Sequence, residues 1–225
     1  MSEQFVSVSA QGDGVATLTL DNPGKKNALS IAVRDQVSSA LDALAVDAAV
    51  RVVVITGAGD IFSSGFDLAE FGSTDPVVRQ ALWPSSDRFH HTVLRFPLPT
   101  IAAVNGPAIA GGFDLATLCD IRVAADTATF THPEQRFADV LYQPLRELVG
   151  GAAARYLTLS GRTVDATEAL RLGLVSAVLP RHELAAAAHE LALDIARGPR
   201  DALMRTKAKA LRRTGIEVGT PTLAM

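Results

Sequence analysis

Residues 103–121 of the chain are AVNGPAIAGGFDLATLCDI. The apolar run Pro99–Val104 leads into this stretch and predicts a short strand, which Asn105-Gly106 is expected to end with a turn. A helix is predicted to begin near Gly111-Gly112. Where a strand gives way to a helix, glycines leave backbone N–H groups free to bind an anion or a polarised oxygen. The stretch therefore predicts one wall of a ligand site.

A second loop of the same kind is FSSGFDL, residues 62–68. It follows the Val and Ile run Arg51–Thr56, which is typical of a buried strand. If the two loops lie side by side, their N–H groups form a pair of donors for one oxygen, the arrangement called an oxyanion hole. Two ordinary turns explain the same spacing, so the residues alone leave both interpretations open.

Two carboxylates are candidates for proton transfer. Asp114 follows the glycine pair at the predicted helix start, and Glu134 follows His132-Pro133 in a predicted loop. A carboxyl group among apolar residues can have its pKa raised and so exchange protons near neutral pH. The alternatives are a helix N-terminal charge for Asp114 and a solvated loop for Glu134.

The other segments indicate an α/β fold in which strands and helices mix in the first part and helices dominate after Pro144. Further strands are predicted at Val15–Leu20, Ile121–Ala124, Thr129-Phe130 and Val175–Leu179, and helices from Ser30 as N-cap and over Leu145–Leu159, Ala166–Leu172, Glu183–Ala196 and Asp201–Arg213. No linker rich in Gly, Ser or Pro divides the chain. We expect one domain over residues 1–225, with a core over about 1–143 and a helical part over about 144–225.

Composition excludes several classes of protein. Hydrophobic residues make up 48% and charged residues 20%, as in a globular protein, and the net charge of −3 gives no basic field for nucleic acid or anionic membrane. The single cysteine, Cys119, allows no intrachain disulfide. The most apolar stretch, Ile101–Cys119, contains Asn105 and Asp114 and is unsuited to crossing a membrane. With no signal peptide visible, we expect a cytoplasmic protein without nucleic-acid or membrane partners.

Common cofactor and metal motifs are absent from the sequence. Gly57-x-Gly59 fails as a dinucleotide fingerprint because Phe62 stands where the third glycine belongs, and no P-loop is present. His90 and His91 are adjacent, so their side chains are expected to diverge, and no metal site is predicted. A basic cluster between Arg200 and Arg213 is interpreted as a solvated helix face, with a phosphate-bearing ligand as the alternative.

Taken in order, these segments resemble the enoyl-CoA hydratase/isomerase (crotonase) family. The similarity covers about residues 14 to 180 and includes the two loops described above, with F-x-x-G-x-D-L at residues 62–68. It also includes Asn22-Pro23 with Asn27–Ser30, Phe130–Glu134, and Ser160–Arg162 followed by Ala166–Ala169 and Gly173–Val175. One such motif is weak evidence, whereas five in register favour the oxyanion-hole interpretation.

The resemblance implies a spiral of repeated ββα units with a helical C-terminal part that packs homotrimers or dimers of trimers. It implies an acyl-CoA substrate and no further cofactor. The implied oxyanion donors are the N–H groups of Phe66 and Gly111, and the implied acids are Asp114 and Glu134. The implied substrate-binding residues are Lys26, Ala28, Ser64, Asp67, Leu68 and Tyr142.

The sequence departs from the family pattern at four places. Asp114 replaces the usual glutamate, which draws the carboxylate back by about 1.5 Å, and misplacement of that size can cost about a hundredfold in rate. Phe66 is bulky where a small residue is common, residues 136–148 lack the glycine-rich pattern, and the C-terminal part is shortened. We therefore expect an enoyl-CoA hydratase, with a double-bond isomerase or a catalytically impaired acyl-CoA-binding protein as alternatives.

Overall fold

Two sheets organise the residues that the computed structural model describes, 3–136, 138–212 and 214–224. The larger sheet has the order β1-β2-β3-β4-β6-β9 and the smaller one β5-β7-β8. The strands are β1 Val6–Ala10, β2 Val15–Leu20, β3 Val52–Gly57, β4 Thr100–Val104, β5 Ala108–Ile109, β6 Ile121–Ala125, β7 Thr129–Thr131, β8 Val164–Asp165 and β9 Ala177–Leu179. β1 pairs antiparallel with β2, and every later pair in the large sheet is parallel.

The helices cover both faces of the large sheet. They are α1 Ile31–Val46, α2 Leu68–Phe71, α3 Pro76–Leu94, α4 Gly111–Leu118, α5 Gln143–Ser160, α6 Ala166–Arg171, α7 Leu184–Ala196 and α8 Arg200–Leu211. In β3, Val52 and Val54 pack with α7 residues, while Val53 and Ile55 join the main core on the other face. Alternation along a strand places neighbours on opposite faces, so a strand buried on both faces must be apolar throughout. The predicted α/β class is therefore confirmed.

Most predicted elements are found within a few residues of their expected bounds. The strand predicted over Arg51–Thr56 is Val52–Gly57, and Ser30 caps α1 by accepting a hydrogen bond from Val33 N at 3.3 Å. No sequence pattern predicted β1, β5, β8, α2 or, more importantly for the site, the long helix α3, which contains Pro84.

A buried arginine joins α1 to α3. Arg34 donates to the carbonyl oxygens of Leu29 at 2.6 Å and Leu82 at 3.3 Å, and to Ser85 Oγ at 3.2 Å. These bonds satisfy a guanidinium that is fully shielded from solvent. Arg34 therefore fixes where α3 lies relative to the loop that follows α1.

The basic cluster near the C-terminal end is not one solvated face. Arg200 donates to Ala45 O at 2.7 Å and Val50 O at 3.1 Å. Lys207 is buried, donates to Leu98 O at 2.9 Å and pairs with Asp120 at 2.7 Å. These two cations attach α8 to the core, so the solvated-face interpretation is wrong for them. Among the described residues, no helix combines the length and apolarity that a bilayer crossing requires.

Candidate active site

Three loops lie side by side at one end of the strands. The loop at 62–68 is held to the loop at 105–111 by bonds from Phe62 N to Pro107 O at 3.1 Å and from Ile109 N to Ser63 O at 3.0 Å. On its other flank, Ser64 N donates to Lys26 O at 3.0 Å. The neighbouring positions expected from the sequence are thus found.

The N–H groups of Phe66 and Gly111 meet where these loops join. A methyl group placed on Gly65 would lie 3.0 Å from Gly111 N, and one placed on Gly111 would lie 3.5 Å from Phe66 N. Neither N–H donates to a protein acceptor within the part of the chain that the structure describes. Two close, unused donors beside a cavity have the arrangement that an oxyanion hole requires.

The backbone of this loop is specialised at two adjacent residues. A Cβ atom on Gly111 would lie 2.8 Å from the ring of Phe66, closer than real Cβ contacts allow. Ala110 has φ 52° and ψ −127°, the conformation of the first central residue of a type II′ turn, which normally requires glycine. Its N–H is fixed to Thr131 O at 2.9 Å. Gly111 follows this turn directly and is the first residue of α4.

The small sheet brings the two acids together. β5 and β7 pair in parallel, with Ile109 opposite Thr131, so the segments that follow them leave the sheet at the same end. The segment after β5 enters α4, where Asp114 lies buried in the first turn. The segment after β7 enters a 3-10 helix, Pro133–Arg136, that carries Glu134. Two residues far apart in sequence thereby line the same cavity.

Asp114 has a partner that the sequence analysis did not single out. His132 Nε2 lies 2.9 Å from Asp114 Oδ1, both side chains are buried, and the imidazole stacks on Phe113 with centroids 4.5 Å apart. Burial alone lowers the pKa of His132, but the charge and hydrogen bond of Asp114, with a smaller contribution from Glu134, raise it above its ordinary value. The only sequence signal for His132 is its position two residues before Glu134.

Glu134 is poised to carry a proton near neutral pH. Desolvation by burial raises its pKa to about 7, against the opposing effect of His132 and with a further increase from Asp114. Its Oε2 atom is buried and has no hydrogen-bond partner among the described residues. Of the two carboxylates, Glu134 is thus the one suited to donating a proton.

Asp114, His132 and Glu134 each present a nitrogen or oxygen atom, all within 4.8 Å of one another. Such a grouping is also compatible with a metal ion. However, His132 Nε2 and Asp114 Oδ1 lie 2.9 Å apart in a direct hydrogen bond, so an ion held by those two atoms would have to replace that bond. The same grouping of carboxyl and imidazole side chains also suits proton transfer.

The cavity beside these groups has a volume of about 250 Å³. One part of its lining is largely apolar and is formed by Phe71, Trp83 and Leu141 together with His90 and Thr222, and Asp139 also lines the cavity. His90 is buried, its Nδ1 contacts Thr222 Oγ1 at 3.0 Å, and its Nε2 has no partner among the described residues. This wall was not predicted from the sequence because α3, which supplies Trp83 and His90, was not predicted.

The predicted substrate-binding residues divide into two groups. Ser64 and Leu68 line the cavity. Lys26 and Ala28 lie in the neighbouring turn, and Asp67 caps α2 by accepting from Ala69 N at 2.9 Å.

Tyr142 does not line the cavity and instead lies at the start of α5, with its hydroxyl 3.8 Å from where a Cβ on Gly151 would be. The preceding residue, Leu141, contributes to the cavity wall in its place.

Comparisons with known proteins give one consistent answer. The family model described as enoyl-CoA hydratase/isomerase matches residues 10–220. A putative enoyl-CoA hydratase of Thermus thermophilus is 38% identical over 218 residues, covering 93% of this chain and 85% of its own length. A 2,3-dehydroadipyl-CoA hydratase of Escherichia coli is 36% identical, covering 95% and 83%. The crystal structure of an enoyl-CoA hydratase from Bacillus anthracis superposes with a TM-score of 0.88 at 32% identity, covering 96% and 85%. The chain belongs to the enoyl-CoA hydratase/isomerase family.

Proposed function

We propose that the protein is an enoyl-CoA hydratase that adds water to a 2-enoyl-CoA. The observation that carries the proposal is the meeting, on one cavity, of two unused N–H donors, at Phe66 and Gly111, with the carboxyl groups of Asp114 and Glu134. The donors suit a thioester oxygen that gains charge, and the carboxyl groups suit proton transfer at the neighbouring carbons.

The oxyanion hole supplies the first part of the mechanism. When a nucleophile adds to the β carbon, electrons move through the α carbon onto the thioester oxygen and form an enolate. Each N–H that points at this oxygen can lower the barrier by about 3 kcal/mol. The chain itself supplies the electrophilic stabilisation, so the proposal includes no cofactor besides the coenzyme A of the substrate.

The two carboxyl groups supply the protons. Asp114 accepts a proton from water as its oxygen attacks the β carbon, and protonated Glu134 gives its proton to the α carbon. A proton then passes from Asp114 to Glu134, which lie close enough for transfer through one water, and this restores the starting state. The pKa of about 7 at Glu134 makes the donor form available at neutral pH.

The alternative within the same family is a double-bond isomerase. Moving a proton from one carbon to another requires the oxyanion hole and a single acid/base group, for which Glu134 suffices. One observation favours this alternative. Asp114 has a short side chain, and its Oδ1 atom is already hydrogen-bonded to His132.

Asp114→Asn separates the two reactions. Hydration is followed as the loss of enoyl absorbance of crotonyl-CoA, and isomerisation as the appearance of that absorbance from a 3-enoyl-CoA. A hydratase should lose about 100-fold or more in hydration rate, as is typical when a general base is removed. Asp126→Asn, at an exposed position, is the control.

Retained isomerisation in Asp114→Asn, with no hydration by the wild-type protein, would establish the isomerase instead. Tight binding of acyl-CoA without either turnover would identify an impaired enzyme.

A further inference from the structure

We infer that His132 is a positioning residue for the hydration step: through its hydrogen bond to Asp114 Oδ1 it fixes the shorter carboxylate so that Oδ2 faces the attacking water. The inference rests on the proposed function and adds to it a residue that does not touch the substrate.

The first support is geometric. His132 does not belong to the cavity wall, whereas Asp114 does, and the two are joined by a single bond of 2.9 Å between buried atoms. Asp114 Oδ2 has no hydrogen-bond partner among the described residues, so this oxygen remains for water. An aspartate has two side-chain rotations, and the imidazole restricts both.

The second support is that His132 is itself held in place. Its ring stacks on Phe113, which lies in the same helix turn as Asp114, and the ring planes are inclined by 25°. Its Nδ1 atom is buried without a partner among the described residues, so the geometry assigns the shared proton to Nε2. A buried donor whose ring is held by stacking keeps its acceptor in place.

Two titratable groups approach this pair, each from a different element. Glu134 faces it from the 3-10 helix, and His90 approaches Asp114 from α3. His90 has its pKa lowered to about 4, chiefly by burial, and is therefore neutral at neutral pH. His132 is thus the neighbour that supplies Asp114 with a direct hydrogen bond.

Two reactions of the same site distinguish positioning from general support of the fold. Hydration of crotonyl-CoA needs Asp114, whereas exchange of the α protons of butyryl-CoA in D₂O needs only the oxyanion hole and Glu134. A positioning role for His132 concerns the first reaction alone. A structural role would affect both.

The decisive variants are His132→Leu and His132→Gln, since the glutamine amide places an N–H donor near the position of Nε2. His132→Leu should lower kcat for hydration by about 10- to 100-fold, the loss expected for misplacement of a reacting group, and change KM little. Proton exchange of butyryl-CoA should remain close to wild type. His132→Gln should recover most of the hydration rate. His189→Gln, a half-buried histidine paired with Asp13 and outside the cavity, is the matched control.

Unchanged hydration in folded His132→Leu would overturn the inference. So would a parallel loss of hydration and proton exchange in both variants, because that result marks a structural role. Failure of the wild-type protein to hydrate any enoyl-CoA would instead refute the proposed function.

The hydrogen bond can also be tested without turnover. In ¹⁵N-histidine-labelled protein, the imidazole spectrum of His132 should show Nε2 protonated at neutral pH and should change in Asp114→Asn. A ring carrying its only proton on Nδ1 would contradict the inference even if the hydratase activity is real.

Discussion

The two walls of the cavity are built in different ways. The wall with the two free N–H groups consists of backbone from loops tied to the sheets, because the residues next to Phe66 and Gly111 bond to neighbouring segments, as in Leu29 N to Gly65 O and Ala110 N to Thr131 O. The opposite wall consists of side chains, chiefly Phe71, Trp83 and His90, from helices that pack on other helices. A backbone donor keeps its position when most side chains change, whereas a side-chain wall changes shape with every substitution. The comparison suggests that the reaction depends on the first wall and the choice of acyl group on the second.

The largest effect is expected from the acid that completes the first wall. Glu134→Gln removes the proton donor, so kcat should fall by about 10²- to 10⁴-fold. Acyl-CoA affinity should change little because the oxyanion donors remain. Turnover and calorimetric binding are the measurements, with the exposed Glu190→Gln as control. Full activity of Glu134→Gln would sink its assignment.

The pH dependence of turnover tests the same role of Glu134. Since the protonated form of Glu134 is the donor and burial raises its pKa to about 7, turnover should decline as pH rises through about 7. The residual activity of the glutamine variant should lack this decline. A wild-type rate that increases steadily between pH 6 and 8 would indicate that Glu134 acts as a base in the rate-limiting step.

A smaller effect is expected from crowding the oxyanion hole. Gly111→Ala keeps the N–H but places a methyl group 2.8 Å from the Phe66 ring, so kcat should fall by about 100-fold. Phe66→Ala keeps its own N–H and should retain most of the activity. Because the atoms that the added methyl would crowd belong to the Phe66 ring, which Phe66→Ala removes, the double variant should be more active than Gly111→Ala.

The two single variants and the double variant form a double-mutant cycle. The measurement is the rate of each protein with crotonyl-CoA, with circular dichroism as the control for folding. If folded Gly111→Ala is fully active while Phe66→Ala is inactive, the donors have been placed on the wrong residues.

The walls are joined at Arg34, whose loss should destabilise the fold. Its guanidinium lies 4.4 Å from the centre of the Phe66 ring and bonds to α3, and Arg34→Met removes its hydrogen bonds to Leu29 O and Leu82 O. We expect a loss of about 3 kcal/mol in the free energy of unfolding. Arg88→Met is the matched control, since Arg88 joins the same two helices by half-exposed ion pairs worth about 1 kcal/mol or less. Equal unfolding midpoints for the two variants in urea would disprove the assignment.

The smallest effect concerns the second wall. Trp83 contacts Phe71 edge-on, with centroids 5.6 Å apart, at a partly exposed part of the cavity. Trp83→Ala should raise kcat/KM for octenoyl-CoA relative to crotonyl-CoA by about tenfold, the scale of discrimination by a few methylene groups. Val77→Ala, exposed on the same helix, should leave the ratio unchanged. An unchanged ratio in Trp83→Ala would show that the acyl group lies elsewhere.

The first wall could be predicted from the sequence because its signals are local. A run of Val and Ile predicts β3, and glycines after it and after β4 mark the two loops, whatever the rest of the chain does. The positions of Asp114 and Glu134 also follow from motifs. The sequence did not show how these two side chains come close together, because that depends on the pairing of β5 with β7. Both strands are short and have only a weak sequence pattern.

The second wall could not be predicted because its signals depend on tertiary packing. Pro84 interrupts the pattern of α3, and a proline normally ends a helix. Arg34 holds this helix in place through carbonyl groups that no motif reveals. Tyr142 was predicted to bind the substrate, whereas its neighbour Leu141 lines the cavity, because an irregular segment has no period from which the inward-facing side chain can be predicted.

The backbone at Ala110 has a consequence for how the protein balances stability against activity. A non-glycine residue at φ 52° and ψ −127° costs on the order of 1–3 kcal/mol, which the surrounding hydrogen bonds must offset. The fold thus retains a locally unfavourable conformation one residue before Gly111, whose N–H is proposed to donate to the thioester oxygen. Selection for thermostability alone would favour relaxing this turn, whereas selection for turnover would preserve it. The two kinds of selection therefore act in opposite directions on the same peptide unit.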